Sequence, residues 1–158
     1  MADVSPMARL RLQDEHGFSI IELTVVILII AVLVAIAIPT FIGMRGRAHD
    51  TAAKQSAVLA VRSALGVAEG EMFEGVTTAG LNAAEPSLTF VDGGNQSTSF
   101  TVVSQVLPAS DIFVAAARST SGTCFMIRHQ DAGSDFAKAA VPTCKADDYA
   151  LMTFGPSW

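Results

Sequence analysis

The sequence has little of what a catalytic site or a nucleic-acid surface requires. Two cysteines and three histidines occur among 158 residues, and charged residues make up only 16% of the chain. The ten lysines and arginines are scattered, and Arg45, Arg47 and Lys54 form one loose cluster. Without a basic stripe, we predict no specific nucleic-acid partner. The cluster is either a solvated helix face or a contact with lipid headgroups.

The histidines do not suggest an enzyme. His16 lies near the N-terminus, His49 follows the long apolar run, and only His129 falls in the C-terminal half. No order of Ser, His and Asp and no metal-ligand spacing surrounds His129. We interpret it as a surface turn histidine beside Gln130 and Asp131, and we expect no catalysis and no cofactor.

The two cysteines, Cys124 and Cys144, both lie in the C-terminal half. If that half is outside the cytoplasm, a disulfide is the expected state of the pair. The chain-entropy model gives such a loop about 3 kcal/mol of stabilisation. The alternative is two unconnected buried thiols.

What the sequence does contain is one long apolar run. Residues 18–38 are 21 residues in which only Ser19, Glu22 and Thr24 are polar. A helix of that length spans about 30 Å, which matches one bilayer crossing. Because a lone segment in lipid must satisfy its own backbone hydrogen bonds, we predict a transmembrane helix despite the many β-branched residues. The flanking arginines are balanced and do not orient it.

The segments on either side of this run differ from it. Residues 1–17 are polar without an apolar period, so we predict a leader. Residues 39–70 predict an amphipathic continuation of the helix, because apolar side chains recur there at spacings of three and four. Pro39 has no N–H and Gly43 is a weak helix former, so we expect the helix to be interrupted where the lipid span ends.

Residues 71–158 predict a β-rich head, with a loop over residues 71–86. "SLTFV" and "TSFTVVSQV" flank "DGGN", which predicts a hairpin, and "IFVAAA" and "CFMIRH" flank "RSTSG". "YALMTF" completes four or five strands in an antiparallel meander. The fold class is therefore α+β, with a long N-terminal helix, transmembrane in its first half and amphipathic in its second, packed on a C-terminal antiparallel sheet.

The stretch "GFSIIEL", followed by the apolar helix and "AIPTF", closely resembles the N-terminal signature of type IV pilins and of the pseudopilins of type II secretion and DNA-uptake machines. That pattern is a short polar leader ending in Gly, an aromatic first mature residue, a Thr or Ser next, and a Glu at the fifth mature position. Gly17, Phe18, Ser19 and Glu22 fill these places, and Pro39 matches the helix-interrupting proline of the family. The likeness covers about residues 17–69.

The resemblance implies a precursor that a membrane-embedded prepilin peptidase cuts between Gly17 and Phe18 and methylates on the new amino group of Phe18. It also implies that Glu22 pairs with that amino group in a neighbouring copy, since two opposite charges leaving water together cost less than one alone. Two other interpretations remain for Glu22: an acid tolerated near the end of the span, or one that favours the N-terminal helix dipole. By the same likeness, the stretch around Pro39 unwinds in a fibre.

The implied function is that of a non-enzymatic subunit of a type IV pilus-like fibre, with a pseudopilin as the alternative. Its partners would be other copies, the prepilin peptidase, the inner-membrane assembly machinery, and membrane lipid before assembly. It would cross the cytoplasmic membrane once with its head outside, and later lie in a surface or periplasmic fibre. Two rivals are a tethered or secreted binding protein and a secretory signal cut after "AIA" at residues 35–37, which would leave Ile38 as the N-terminus.

Asp147 and Asp148, next to Tyr149, are a candidate calcium site by likeness to C-terminal loops of some pseudopilins. Two adjacent acids are more often only solvated. We therefore predict no metal site.

Overall fold

The structure of the protein is a computed structural model that describes residues 17–68, 73–109 and 111–158. The predicted leader, apart from Gly17, lies outside these residues, as do His16 and residues 69–72. A long helix, α1 (Ile20–Val67), precedes a short helix, α2 (Thr78–Ala84), five strands and a 3₁₀ helix (Ala146–Leu151). The strands are β1 (Thr89–Asp92), β2 (Val102–Ala109), β3 (Ile112–Arg118), β4 (Thr123–Gln130) and β5 (Gly133–Ala140). A long N-terminal helix with a mostly antiparallel C-terminal sheet confirms the predicted α+β class.

The second half of α1 packs on the sheet through small side chains. Its buried residues recur at spacings of three and four, which places them on one stripe of the helix. They are Ala53, Ser56, Ala57, Ala60, Val61 and Ala64. Because four of these six are alanine, the helix backbone can lie close to the aromatic side chains that the sheet presents to it.

Pro39 and Gly43 lie inside α1, which is unbroken from Ile20 to Val67. The predicted interruption is therefore absent from the helix of the single chain. Proline removes one backbone hydrogen bond and crowds the carbonyl one turn earlier. The Thr40 hydroxyl donates to the carbonyl of Ile36 at 3.1 Å, one residue beyond the carbonyl that Pro39 leaves without an amide donor. A glycine within a helix costs only about 1 kcal/mol, which the remaining helix tolerates.

The sheet has the strand order β1-β2-β3-β4-β5, and β2 to β5 pair antiparallel. β1 and β2 instead pair parallel, with Thr89 opposite Val102, so the predicted "DGGN" hairpin is wrong. The turn itself forms, with the Asn95 amide donating to the Asp92 carbonyl at 2.7 Å. The chain then runs back along β1, and the buried Ser97 hydroxyl donates to the Val102 carbonyl at the start of β2.

Two other predictions of local structure are wrong, and one strand was not predicted. The predicted loop over residues 71–86 contains α2, and "YALMTF" is not a strand, because the 3₁₀ helix covers residues 146–151. β5 was not predicted, since Ala137 is its one fully buried residue and its apolar alternation is weak. The turn in "RSTSG" does join β3 to β4, with the Ser119 amide donating to the Thr123 carbonyl at 2.9 Å.

The sheet has two apolar faces, each covered by a different element. The helix face, which includes Phe113, Phe125 and Ile127, packs against α1. The back face, which includes Val114 and Met126, is covered by residues 141–154 of the C-terminal segment. The disulfide between Cys124 and Cys144, with Cα atoms 5.4 Å apart, ties that segment to β4 and confirms the predicted bond.

Each edge strand of the sheet is bonded by another element at one residue. At β1, the Asn82 side chain of α2 bonds both polar groups of one residue, accepting from the Phe90 amide at 2.8 Å and donating to the Phe90 carbonyl at 3.1 Å. At β5, Gly155 exchanges two backbone hydrogen bonds with Phe136, at 2.7 and 2.9 Å. Trp158 then packs on the ring of Phe136, with ring centroids 5.0 Å apart.

Candidate processing and assembly site

The peptide bond between Gly17 and Phe18 lies before α1 and is open to solvent. Both residues are exposed, and Phe18 exposes 79% of its surface. A Cβ added at Gly17 would meet no atom within 4 Å. A larger residue at this position would therefore not disturb the chain itself, and any effect on cutting would arise at the protease.

Ser19 and Glu22 start α1 as a capping box. The Ser19 hydroxyl accepts from the Ile21 amide at 3.3 Å, while the Ser19 amide donates to Glu22 Oε2 at 2.9 Å. Two amides that the helix itself leaves unpaired are thus satisfied by side chains. The sequence analysis considered Glu22 at the helix end but missed the partnership with Ser19, which the spacing S-x-x-E in "SIIE" already signals.

The Glu22 carboxylate sits in a shallow apolar groove on the first part of α1. Phe18, Ile21, Val25 and Val26 line that groove with it. An acid among apolar side chains favours a cationic partner, because its charge is poorly solvated once the groove is covered. The capping bond is to Oε2, and the second oxygen of a carboxylate can accept further donors.

The large apolar side chains of α1 from Ile20 to Met44 are exposed, with fractions between 44% at Val34 and 82% at Ile20. Within the described residues, α1 is the one helix long and apolar enough to cross a membrane, by length and composition, and its apolar window buries nothing inside the protein. An apolar surface of this size is unfavourable in water, so lipid or protein must cover it.

The second half of α1 is fastened to the head by side chains that the sequence did not single out as a group. The Ser121 hydroxyl, in the turn between β3 and β4, donates to Asp50 at 2.6 Å. Lys54 lies 5.3 Å from the centre of the Phe125 ring, and His49 stacks on Phe100 at 5.8 Å. Lys54 therefore contacts the sheet, while Arg45 lies over the ring of Phe41 at 5.7 Å.

The Asp50 carboxyl has a lowered pKa. Burial alone would raise the pKa, but hydrogen bonds from Ser119 and Ser121 favour the charged form. The nearby charges of Lys54 and His49 act in the same direction, so the pKa of Asp50 lies below its usual range.

The remaining candidates have local roles. The His129 Nδ1 lies 2.7 Å from the Ser134 hydroxyl, and its ring meets Phe73 edge-on at 5.9 Å. Asp147 uses its amide to bond the Gly93 carbonyl at 3.3 Å, and Asp148 follows it in the 3₁₀ helix. Across residues 17–68, 73–109 and 111–158, no group of three or more His, Cys, Asp or Glu residues could hold a metal ion.

Residues 12–38 match the family model of the prokaryotic N-terminal methylation motif. The match contains Gly17, Phe18 and Glu22 and continues through the exposed apolar part of α1. No curated protein and no solved structure matched the chain. With this motif in front of and within a long apolar N-terminal helix, the chain fits a type IV pilin-like prepilin.

Proposed function

We propose that the protein is the structural subunit of a type IV pilus-like fibre, cut between Gly17 and Phe18, methylated on the Phe18 amino group and polymerised through the first half of α1. One observation carries the proposal. A long, exposed apolar helix surface has a single carboxylate, Glu22, about one helical turn after the predicted cut. The function is structural rather than enzymatic.

The surroundings of the bond between Gly17 and Phe18 support cutting at that point. The bond precedes the first turn of α1, so a protease need not unwind the helix to reach it. Gly17 has no side chain and permits backbone conformations that other residues resist. Cutting leaves Ser19 and Glu22 in place, so the capping box that starts α1 survives processing.

The cut creates a positively charged amino group on Phe18, and Glu22 supplies the matching negative charge. In a bundle of helices, the free oxygen of the Glu22 carboxylate would accept from the Phe18 amino group of a neighbouring copy. The capping bond to the Ser19 amide can persist at the same time, since a carboxylate accepts several donors. Neutralising both charges lowers the cost of enclosing them among apolar side chains.

The same apolar surface would face lipid before assembly and other copies afterwards. Moving it from one apolar environment to another yields little free energy, so assembly requires an energy-consuming machine in the membrane. The disulfide between Cys124 and Cys144 supports a head outside the cytoplasm, because disulfides persist in oxidising compartments. Pilins and pseudopilins share this logic, and fibres outside the cell rather than in the periplasm would distinguish the pilus subunit.

Two substitutions at Glu22 test the proposal. Glu22→Gln keeps the hydrogen-bond acceptor of the capping box, which Gln serves as well as Glu, but removes the charge. Glu22→Ala removes both. We expect both variants to be cut and inserted, with a mature N-terminus at methylated Phe18 by mass spectrometry, but to yield no sheared fibres.

The contrasting outcomes are specific. Normal fibres from Glu22→Gln but none from Glu22→Ala would leave the cap as the function of Glu22 and remove the charge pair. An N-terminus at Ile38 would replace the whole proposal with a secreted protein.

A further inference from the structure

We propose that the head carries a second contact between copies of this chain, in which Leu151 of one copy enters a groove on α1 of the next. It extends the proposed function and rests on it, because it assigns a head contact to the same fibre. We call Leu151 with Asp148 the knob, and the stretch of α1 lined by Lys54, Gln55, Val58, Leu59 and Arg62 the groove.

The knob is an apolar side chain held out from a fixed element. Leu151 exposes 84% of its surface. In the rest of the described residues after Met44, Leu65, at 49%, is the other large exposed hydrophobic. The 3₁₀ helix that carries Leu151 begins two residues after the disulfide at Cys144, and the amide of its first residue, Ala146, bonds the buried Ser104 hydroxyl at 3.0 Å. The position of Leu151 is therefore fixed at little further entropic cost.

The knob also carries negative charge. Side chains three residues apart eclipse each other on a 3₁₀ helix, so Asp148 shares the side of Leu151. Asp147, one position earlier, instead directs its carboxylate towards the turn at Gly93 and is not part of the knob. A partner surface for the knob should therefore be apolar at its centre and basic at its rim.

The groove on α1 has that composition. Val58 and Leu59 are half-buried and form its apolar floor, while Lys54 and Arg62 lie one turn before and one turn after Val58 on the same face. An apolar side chain set between neighbouring ridges of a helix is the usual way in which helices accept a partner. Arg62 provides a positive charge at the rim for Asp148, whereas the Lys54 ammonium also lies 5.3 Å from the centre of the Phe125 ring of its own sheet.

One chain cannot fill its own groove. α1 covers the helix face of the sheet, whereas the 3₁₀ helix packs on the back face through Ala146 and Tyr149. The sheet therefore lies between knob and groove. A contact between two different patches on successive copies is heterologous, so it forms a closed ring or an open helical array, and the open array is the symmetry of a fibre.

Disulfide trapping tests the contact in the full chain, in membranes and in sheared fibres. The native cysteines are bonded to each other, so introduced cysteines are the free thiols. We expect the pair Val58→Cys with Leu151→Cys to give a ladder of oxidised multimers. The control pair is Leu65→Cys with Leu151→Cys, in which residue 65 lies about two turns beyond residue 58 on the same helix. We expect this pair to give at least about tenfold less crosslinked multimer, since cysteines with distant Cα atoms cannot form a disulfide.

A charge exchange provides an independent measurement. Asp148→Lys should lower the yield of the Val58 and Leu151 crosslink, because it places like charges together. Adding Arg62→Glu should restore it, which a general loss of folding would not do.

The outcomes separate this contact from the proposed function. If the pair Val58→Cys with Leu151→Cys forms fibres but gives no crosslinked ladder, the contact is overturned and the proposed function is unaffected. A ladder in membranes without fibres supports the contact and counts against the fibre. Equal ladders from both cysteine pairs overturn the contact, because the groove then confers no selectivity.

Discussion

Glu22 caps the N-terminus of α1 and, in our proposal, also pairs with the Phe18 amino group of a neighbouring copy. Its capping bond to the Ser19 amide explains why an acid near the end of an apolar span is useful even in a single copy. Only its charge distinguishes the two roles, and Glu22→Gln removes the charge alone. Gly17 has a different kind of role in the proposal, because no atom of the described residues would contact a side chain added there and its role lies in recognition by the peptidase.

At Asp50, the lowered pKa predicts a pH-dependent contribution to stability. The carboxylate stabilises the folded head above the pKa of an unfolded Asp, about 3.9, and that contribution is lost as the pH falls through the lower folded value. Since Asp50 is partly exposed, we expect Asp50→Asn to cost only roughly 0.5 kcal/mol at pH 7. The cost should disappear at a pH below the folded pKa.

Thermal unfolding of the full chain in detergent at the two pH values measures this difference. Asp131→Asn, at an exposed turn, is the matched control. A loss that persists unchanged in strong acid would show that the Asp50 charge is not responsible.

At the scale of secondary-structure elements, α2 protects β1 through a single side chain. Asn82→Ala removes both side-chain bonds to the Phe90 backbone and leaves that strand edge without a partner. We expect a loss of roughly 1–3 kcal/mol of unfolding free energy, because a half-buried amide and carbonyl become unsatisfied. Faster hydrogen exchange at Phe90 would reveal it.

The exposed Asn95, in the turn after β1, provides the comparison. Asn95→Ala should leave Phe90 exchange unchanged. If Asn82→Ala also leaves it unchanged, α2 does not guard the edge of β1.

The long helix, the disulfide and the sheet class were predictable because each depends on local or compositional signals. The proposed cut site rests on an equally local signal, since Gly17, Phe18 and Glu22 lie within six residues of one another, but it stays a prediction. The parallel pairing of β1 was not predictable from local signals. The turn after β1 was predicted correctly, but the return of the chain involves a contact between the buried Ser97 and β2 that the sequence does not signal. "YALMTF" misled for a similar reason. Its inward residues Tyr149 and Met152 are spaced by three, and the alternation of a strand would have buried Leu151.

At the scale of the whole molecule, described residues 17–40 fall in one unit and Phe41–Trp158 in another. The disulfide belongs to the second unit. Replacing both Cys124 and Cys144 with Ser should lower the unfolding free energy of the head by about 2–4 kcal/mol, since the unfolded chain regains the freedom that the loop removes. Cutting at Gly17, which lies in the first unit, should proceed as before.

Thermal unfolding and mass spectrometry of the same double variant check the two parts of this prediction. The wild-type chain under reducing conditions is the control for the packing effect of Ser. An unchanged unfolding temperature would mean that the C-terminal segment stays on the back face without the bond.

The contacts at the two edges of the sheet affect the tendency of neighbouring heads to aggregate. In the proposed function, many copies lie close together in one membrane before assembly. Unpaired strand edges of neighbouring heads would pair with one another and form cross-β aggregates. Here Asn82 bonds the backbone of Phe90 at one edge and Gly155 bonds that of Phe136 at the other, so each edge offers fewer free backbone groups to another chain. These contacts therefore favour separate heads over aggregates while copies of the proposed fibre subunit wait in the membrane.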